Sequence, residues 1–156
     1  MKKILKYTPI LLVILMLTSC LTSDLEELPT FDEANITNMR FEYRWIDNSN
    51  EFSKLGIQAL DSDVVIDTIA NTVNCIITVP GTKDDFTEEI RAGVTLSNIL
   101  GFADISTASI IKPMSGAPVL GNVADYSAGN FQYEVMAADG STKVWTLMID
   151  DFIKED

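Results

Sequence analysis

The chain has 156 residues, with 11 basic and 23 acidic side chains, and a net charge of −12. This acidity argues against nucleic acid, whose phosphates must be neutralised by Lys and Arg, and against an anionic lipid surface. The chain contains no histidine. It therefore lacks the commonest general base and metal ligand, and Ser–His–Asp and Cys–His catalysis are excluded.

The first 20 residues have the layout of a secretory signal. Three lysines and no acid precede residue 7, and an unbroken apolar run follows over residues 10–17. The run is too short for a transmembrane helix, which needs about 20 apolar residues. The sequence therefore predicts a leader over residues 1–19 that is cleaved before Cys20. The 137 residues that remain suit a single domain.

Residues 17–20, Leu-Thr-Ser-Cys, resemble the lipobox of bacterial lipoproteins. In that family the cysteine sulfur carries diacylglycerol and the new amine is acylated. The resemblance implies that Cys20 anchors the chain in a membrane, since each buried methylene contributes about 0.8 kcal/mol. Asp24, Glu26 and Glu27 resemble the acidic export tag of Bacteroides-type surface lipoproteins; a plain solvated linker is the alternative. The implied location is the outer membrane, with the domain exposed at the cell surface or, alternatively, facing the periplasm.

Residues 20–33 are acidic, contain Pro29 and show no sustained period, so they predict a tether. The folded domain is then expected over residues 34–156. From residue 35 the apolar period becomes two, which predicts a strand with one buried face. The alternating apolar residues of this strand are Met39, Phe41, Tyr43 and Trp45.

The next part of the chain is rich in β-branched residues. A short strand is predicted over residues 54–60, ended by the acids that follow it. Two β-rich runs, 64–70 and 73–79, flank Asn71-Thr72, which favours a hairpin turn. In the second run Cys75 shares a face with three aliphatic residues, so it is predicted to be a small core residue.

The chain is harder to assign between its middle and its end. Residues 80–89 are a polar loop with room for one helical turn, and residues 90–96 alternate cleanly, which predicts a strand. Residues 98–106 are ambiguous. A β-rich run over 107–112 is halted by Pro113, and a Gly-rich loop follows.

The last two strands are predicted over residues 131–137 and 145–149, around an Asp139-Gly140 turn. The chain then has about seven strands, and no long amphipathic helix is evident. Turn signals recur at intervals of roughly 8–15 residues. This pattern predicts an all-β fold, namely an Ig-like β-sandwich of about seven strands.

The closing segment, residues 131–147, resembles the final hairpin of Ig-like modules of unknown function in Bacteroides-type surface lipoproteins. Those modules end in a Tyr-Thr-Val-x-Ala-x-Asp-Gly-Ser hairpin followed by Tyr-Thr-Val. Residues 113–116, Pro-Met-Ser-Gly, resemble their Pro-x-Ser-Gly turn, and residues 125–127, Asp-Tyr-Ser, their Asp-Phe-Ser step. The resemblance covers roughly residues 35–149. It implies a fold, a location and a non-catalytic part, and it implies no reaction.

Carboxylates are the main candidates for metal binding in a chain without histidine. They occur as Asp61/Asp63, Asp84/Asp85 with Glu88/Glu89, and Asp150/Asp151. Calcium takes 6–8 oxygen ligands, and none of these groups has the spacing of an EF-hand. Solvated loop charge is therefore the preferred interpretation, a loop-borne calcium site is the alternative, and no metal or cofactor is predicted.

Sugar capture by a β-sandwich needs an exposed aromatic side chain flanked by polar groups. Aromatic residues on the apolar faces of strands are predicted to be core, namely Phe41, Tyr43, Phe131, Tyr133 and Trp145. The loop aromatics Tyr126, Phe86 and Phe102 are therefore the predicted ligand-binding residues. Residues 67–69, Asp-Thr-Ile, match the short O-glycosylation sequon used in this bacterial group, which makes Thr68 a candidate for modification.

Two functions from different classes follow. The first is a non-catalytic surface lipoprotein that captures a glycan or another extracellular ligand. The second is a structural or adhesive component that packs against envelope proteins, and it requires an exposed apolar patch or an unpaired edge strand. An enzyme comes third, since it needs a cleft with converging carboxylates. The expected partners are the membrane, through the anchor, and glycans or envelope proteins, but not nucleic acid.

Overall fold

The computed structural model describes residues 30–48 and 51–154. These residues form eight strands and one short helix, in the order β1–β3, α1, β4–β8. The strands are β1 (Ile36–Asp47), β2 (Lys54–Asp67), β3 (Thr72–Val79), β4 (Ile99–Ile105), β5 (Ile110–Met114), β6 (Val123–Ala124), β7 (Asn130–Met136) and β8 (Thr142–Lys154), and the helix is α1 (Glu88–Ala92). The all-β prediction is confirmed.

The strands form one sheet in the order β5-β7-β8-β3-β2-β1-β4-β6. The long strand β2 connects its two halves. Residues 54–60 of β2 pair with β1, and residues 61–67 pair with β3. The sheet therefore curls along β2, and both halves contribute side chains to a common core.

The pairing is antiparallel except between β3 and β8, which run parallel from Thr72↔Thr146 to Val79↔Lys154. Strands β2 and β3 form one antiparallel hairpin, and β7 and β8 form another. The parallel pair of β3 and β8 joins these two hairpins. Strands β3 and β7 alternate between buried and more exposed residues along their length, as a strand with one face on the core requires.

The core is built from large side chains of both halves of the sheet. Its most buried members include Met39, Phe41, Val73, Cys75, Ile77, Ile99, Tyr126, Tyr133, Val135, Trp145 and Leu147. Each fully buried aliphatic or Phe side chain contributes about 1.5–3 kcal/mol relative to exposure. Cys75 is fully buried and free, so the prediction that it is a core residue is confirmed. Burial raises the pKa of its thiol to about 12.

The two ends of the sheet differ in which parts of the chain they hold. At the proximal end, where residue 30 leads into β1, the Trp145 indole donates a 2.9 Å hydrogen bond to the carbonyl of Ala34, and Asp139 N–H donates to Phe31 O. The distal end holds the β1–β2 connection and α1. The 12 residues of β1 separate these ends by roughly 36 Å at about 3.3 Å per residue.

The strand predicted over residues 90–96 is wrong. Residues 88–92 form α1, because Thr87 caps its N-terminus by accepting a hydrogen bond from Ile90 N–H, and because acidic residues occupy the first turn. Arg91 is buried and its Nε donates to Pro80 O at 3.0 Å. The apparent alternation over seven residues therefore reflects one short helical turn and the turns after it.

Three other segments differ from the sequence prediction. The acids at 61–63 do not end a strand, because they lie on β2 where it passes from β1 to β3. The ambiguous segment 98–106 forms β4. Pro113 lies within β5 and does not stop it, because β5 is an edge strand whose free side needs no N–H donor.

Three turns are fixed by aspartate side chains that accept hydrogen bonds from backbone N–H groups two or three residues later. These turn aspartates are Asp67, Asp125 and Asp139. The pKa of Asp125 and of Asp139 is lowered by hydrogen bonds from the hydroxyl and then the backbone N–H of the serine two residues later, and the pKa of Asp67 is lowered by its two backbone N–H donors, because these bonds favour the ionised carboxylate. The Asp139-Gly140 hairpin turn is confirmed, with Gly140 at φ 88°.

Candidate functional site

Two neighbouring cavities open at the distal end of the sheet. The edge cavity, of about 390 Å³, lies between residues 54–58 of β2 and residues 83–86. The loop cavity, of about 510 Å³, lies between the end of β1 and the start of α1. Trp45, Asp84 and Asp85 line both cavities and so form the wall between them. Volumes of this size fall in the usual range for ligand sites.

Trp45 is held in this wall by three neighbours. Its ring stacks on Tyr43 with a centroid distance of 6.1 Å and an interplanar angle of 17°, and it lies 5.7 Å from the ring of Phe86. Its cross-strand partner is Gly56, and a Cβ there would lie 2.1 Å from Trp45 Cε2. Glycine is needed at this position because the indole ring occupies the space of a side chain.

The indole N–H of Trp45 is buried and has no hydrogen-bond partner among the described residues. A buried donor without a partner costs about 1–3 kcal/mol. Such groups are rare in native structures. The side chain that carries this donor forms part of the wall between the two cavities.

The loop cavity is lined mainly by polar side chains. It combines Trp45 with the amide of Asn48, the hydroxyl of Thr87 and four carboxylates. The carboxylates are Asp47, Asp84, Asp85 and Glu89. The arrangement offers hydrogen-bond acceptors, an amide that both donates and accepts, and an aromatic side chain, which together suit a polyhydroxylated ligand.

The edge cavity has a different lining, with apolar Leu55 and Ile57 beside Gln58 and two lysines. Lys54 Nζ forms a 2.6 Å ion pair with Asp85. The hydrogen bond and the charge of Asp85 raise the pKa of Lys54. Both side chains are more than 60% exposed, so this pair is screened by solvent and adds little stability.

The expectation that Tyr126 is an exposed ligand-binding residue is wrong. Its side chain is fully buried and packs edge-to-face on Phe41 (5.6 Å) and Phe131 (5.4 Å). It fills the space above Gly101, where a Cβ would lie 2.5 Å from the tyrosine Oη. Burial raises the pKa of Tyr126. Tyr126 lies in a loop, and its side chain covers one side of the hydrophobic core.

Phe86 is also buried, at 2% exposure, so its expected role as an exposed ligand-binding ring is wrong. It packs against Trp45 and lines the edge cavity. Phe102 is half-buried on the outer face of β4, where the guanidinium carbons of Arg40 and Arg44 each lie 5.9 Å from its ring centre. The three predicted aromatics therefore lie at three separate places.

The arginines beside Phe102 are already paired. Arg40 contacts Asp104 at 2.9 Å, and Arg44 pairs with Glu42. On the outer face of β1 and β4, two pairs of opposite charges therefore lie around the ring of Phe102. Phe102 lines none of the three cavities described in this subsection, and its role in ligand binding stays a prediction.

Thr68 lies in the exposed turn between β2 and β3 rather than in a strand. The preceding Asp67 accepts hydrogen bonds from Ile69 and Ala70 and so fixes the turn. O-glycosylation at Thr68 stays a prediction. The lipidation residue Cys20 and the export residues Asp24, Glu26 and Glu27 lie outside the described residues.

A third cavity, of about 400 Å³, lies away from the distal end, between β7 and the loop after β5. Asn130, Gln132 and Thr146 line it. Within residues 30–48 and 51–154 there is no group of three or more Cys, Asp or Glu side chains placed to hold a metal ion. The one helix of the described residues is also too short to cross a bilayer.

The sequence did not identify the two aromatic residues that matter most at the distal end. The alternation of residues 39–45 places Trp45 on the buried face of the predicted strand and gives no sign of a cavity. Trp45 is the last aromatic residue of that face before a polar loop, and Gly56, its partner in the next strand, is the signal that could have found it. Phe52, in the β1–β2 connection, is 79% exposed, and it stands alone among polar residues, so no pattern in the sequence marks it.

Comparisons with known proteins identify relatives of this fold. A family model described as DUF5018-related matches residues 36–148. A crystal structure of a predicted secreted protein from Bacteroides fragilis is similar, with 32% sequence identity and a TM-score of 0.73. The match covers 81% of this chain and 100% of that one. No curated protein matches.

Proposed function

Since the chain belongs to the DUF5018-related family, we propose that it is a non-catalytic module that captures an extracellular glycan at the distal end of its sheet. A lipid on Cys20 would hold it on the outer membrane, with the acidic tag directing it to the cell surface. The secreted Bacteroides neighbour supports an envelope or extracellular location. The curled sheet around one core supports the finer assignment of an Ig-like sandwich.

The loop cavity carries this proposal. It brings an indole side chain, an amide, a hydroxyl and carboxylates together in one space of about 510 Å³. Sugars combine apolar C–H groups with many hydroxyls, so they match a lining that combines an aromatic side chain with hydrogen-bonding groups. The unpaired indole N–H beside the cavity gives a further reason for a ligand or an ordered water there.

The position of the cavity also supports capture. The tether leads into β1 at the proximal end, and the loop cavity lies at the opposite end of that strand, roughly 36 Å away. A protein anchored through its N-terminal cysteine would therefore hold the cavity away from the membrane. This orientation suits a ligand that arrives from outside the cell.

A glycan array tests the proposal directly. The form that begins at Leu21 keeps every described residue and needs no detergent. We expect a saturable hit that weakens at least tenfold in Asn48→Ala and Glu89→Gln, because both side chains line the loop cavity. Asn130→Ala, in the third cavity, is the matched control and should bind as the unaltered protein does. A blank array on folded protein, or equal loss in the control, would contradict this function.

The anchor is tested separately in cells. Cys20→Ala should abolish lipid attachment and move the protein from the membrane fraction to the soluble one. Surface exposure is measured by protease access on intact cells, with the acids at 24, 26 and 27 replaced by their amides as the comparison. Unchanged fractionation of Cys20→Ala would refute the anchor while leaving the glycan result unaffected.

The second candidate, a component that packs against envelope proteins, is favoured by a specific observation. Ile46, Leu55 and Ile57 are each more than half exposed on the outer face of the β1–β2 hairpin, with Ile46 directly opposite Leu55. Phe52 in the connection is more exposed still. Clustered exposed apolar side chains are typical of docking surfaces.

A further inference from the structure

The distal half of β2 has an edge that no strand covers. Residues 54–60 pair with β1 on one side. On the other side β3 pairs only with residues 61–67, and no other described strand continues the ladder. β3 ends at Val79 because Pro80 follows it, and proline has no N–H to donate.

Unpaired strand edges usually carry some protection against strand addition. At the outer edges of this sheet, β5 contains Pro113 and β6 is only two residues long. The distal half of β2 has only Lys54, which is held by Asp85 in an ion pair. Its Leu55 and Ile57, two residues apart, present exposed apolar side chains on one face. Such alternation gives an added strand its side-chain contacts.

There is space along this edge. The edge cavity of about 390 Å³ separates residues 54–58 from residues 83–86 and is open to solvent. Residues 83–86 form the far wall of this cavity. Their backbone makes an isolated bridge, Lys83↔Phe86, and pairs with none of the described strands. An extended chain could therefore lie beside β2 without displacing an existing strand.

Charge decides which kind of chain fits. Around the distal cavities Lys54 and Lys83 face Asp47, Asp84, Asp85 and Glu89. The whole chain carries −12, so a second copy would be repelled. We propose that the free edge of β2 accepts an extended basic segment of a partner protein as an added strand, with its apolar side chains on Leu55 and Ile57. This goes beyond glycan capture and does not depend on it.

Hydrogen exchange on the full-length chain in detergent micelles tests strand addition. The probe is a nine-residue peptide of alternating valine and lysine, with both termini blocked. We expect saturable binding that slows the exchange of backbone amides within residues 54–60, because an added strand must hydrogen-bond to that edge. Raising the salt concentration should weaken binding.

Two matched peptides separate the contributions. Replacing lysine by glutamate should weaken binding at least tenfold through charge repulsion. Methylating every backbone nitrogen of the original peptide leaves its side chains unchanged and removes the main-chain donors on both edges, so it should abolish the slowed exchange. If the methylated peptide binds equally well, side chains alone account for binding and strand addition is overturned.

Variants locate the site. Leu55→Ser with Ile57→Ser should weaken binding at least tenfold without unfolding the protein, since both side chains are more than half exposed. Val65→Ser is the control: Val65 is 68% exposed on the same strand, but its neighbourhood is already paired with β3. Equal binding by the double variant, an absence of saturation, or slowed exchange caused by self-association without peptide would each overturn the proposal. Of the two glycan variants, Asn48→Ala leaves both the free edge of β2 and the charges around it unaltered, so the two proposals can fail independently.

Discussion

Replacing Gly56 by alanine tests whether Trp45 depends on an empty position across the strand pair. An alanine Cβ would lie 2.1 Å from Trp45 Cε2 and 2.4 Å from Cζ2. Carbon atoms in contact lie about 3.5–4.0 Å apart, so the ring must move by roughly 1.4 Å. The ring can move only towards the cavities, because Tyr43 and Phe86 pack against it.

The magnitude follows from two opposing effects. Overpacking costs about 1–3 kcal/mol, while alanine in a strand recovers about 0.5–1 kcal/mol relative to glycine. The expected net loss in the free energy of unfolding is therefore about 0–2.5 kcal/mol. Because the ring forms the wall between the two cavities, we also expect weaker binding of any glycan found on the array.

Urea unfolding followed by tryptophan fluorescence measures the change in the free energy of unfolding, and the emission of the folded state shows whether the Trp45 ring has moved. The chain has two tryptophans, and Trp145 is fully buried, so a change in the emission of the folded state reports on Trp45. Gly81→Ala is the control, since nothing lies within 4 Å of a Cβ at that position. If Gly56→Ala matches the unaltered protein in both midpoint and emission, the described contact between Trp45 and Gly56 is refuted.

Three further predictions concern the core and the turns. Trp145→Phe removes the 2.9 Å hydrogen bond to Ala34 O and leaves a void, so the free energy of unfolding should fall by roughly 2–4 kcal/mol in urea titrations; a loss below 1 kcal/mol would count against this contact. In a Cys20→Ser background, iodoacetamide at pH 8 should leave Cys75 unmodified until urea is added, because the thiol is buried with a pKa of about 12; rapid labelling of folded protein would contradict this burial. The turn aspartates have pKa values below the ordinary one, so their stabilising contribution is complete above the unfolded pKa, near pH 4, and is lost as the pH falls through the folded values. Urea midpoints between pH 2 and 7 should show this decline, and replacing all three by asparagine should flatten it.

The strands that the sequence predicted well share one property. Residues 39–45, 73–79 and 131–135 alternate over several positions, and each belongs to a strand with one face on the core. Such a pattern is local, because a half-buried strand imposes a period of two on its own residues. The prediction that Cys75 is a core residue depends on the same alternation.

The helix at residues 88–92 shows where this signal fails. A few alternating residues fit one helical turn equally well, and the cap at Thr87 together with the burial of Arg91 against Pro80 decided the outcome. The prediction that loop aromatics are exposed fails for another reason. Tyr126 and Phe86 lie in irregular segments, but their large side chains are buried and fill the ends of the hydrophobic core.

The sequence by itself determined that the chain is all-β, where most strands lie, how the closing hairpin turns and that Cys75 is core. These properties depend on neighbours within a few residues. The tertiary structure alone decided that β2 serves both halves of the sheet, that none of the other described strands pairs with its distal edge, and that Trp45 separates two cavities. Pairing and cavity formation join residues far apart in the chain, since the free energy of each contact depends on how the whole sheet curls around its core.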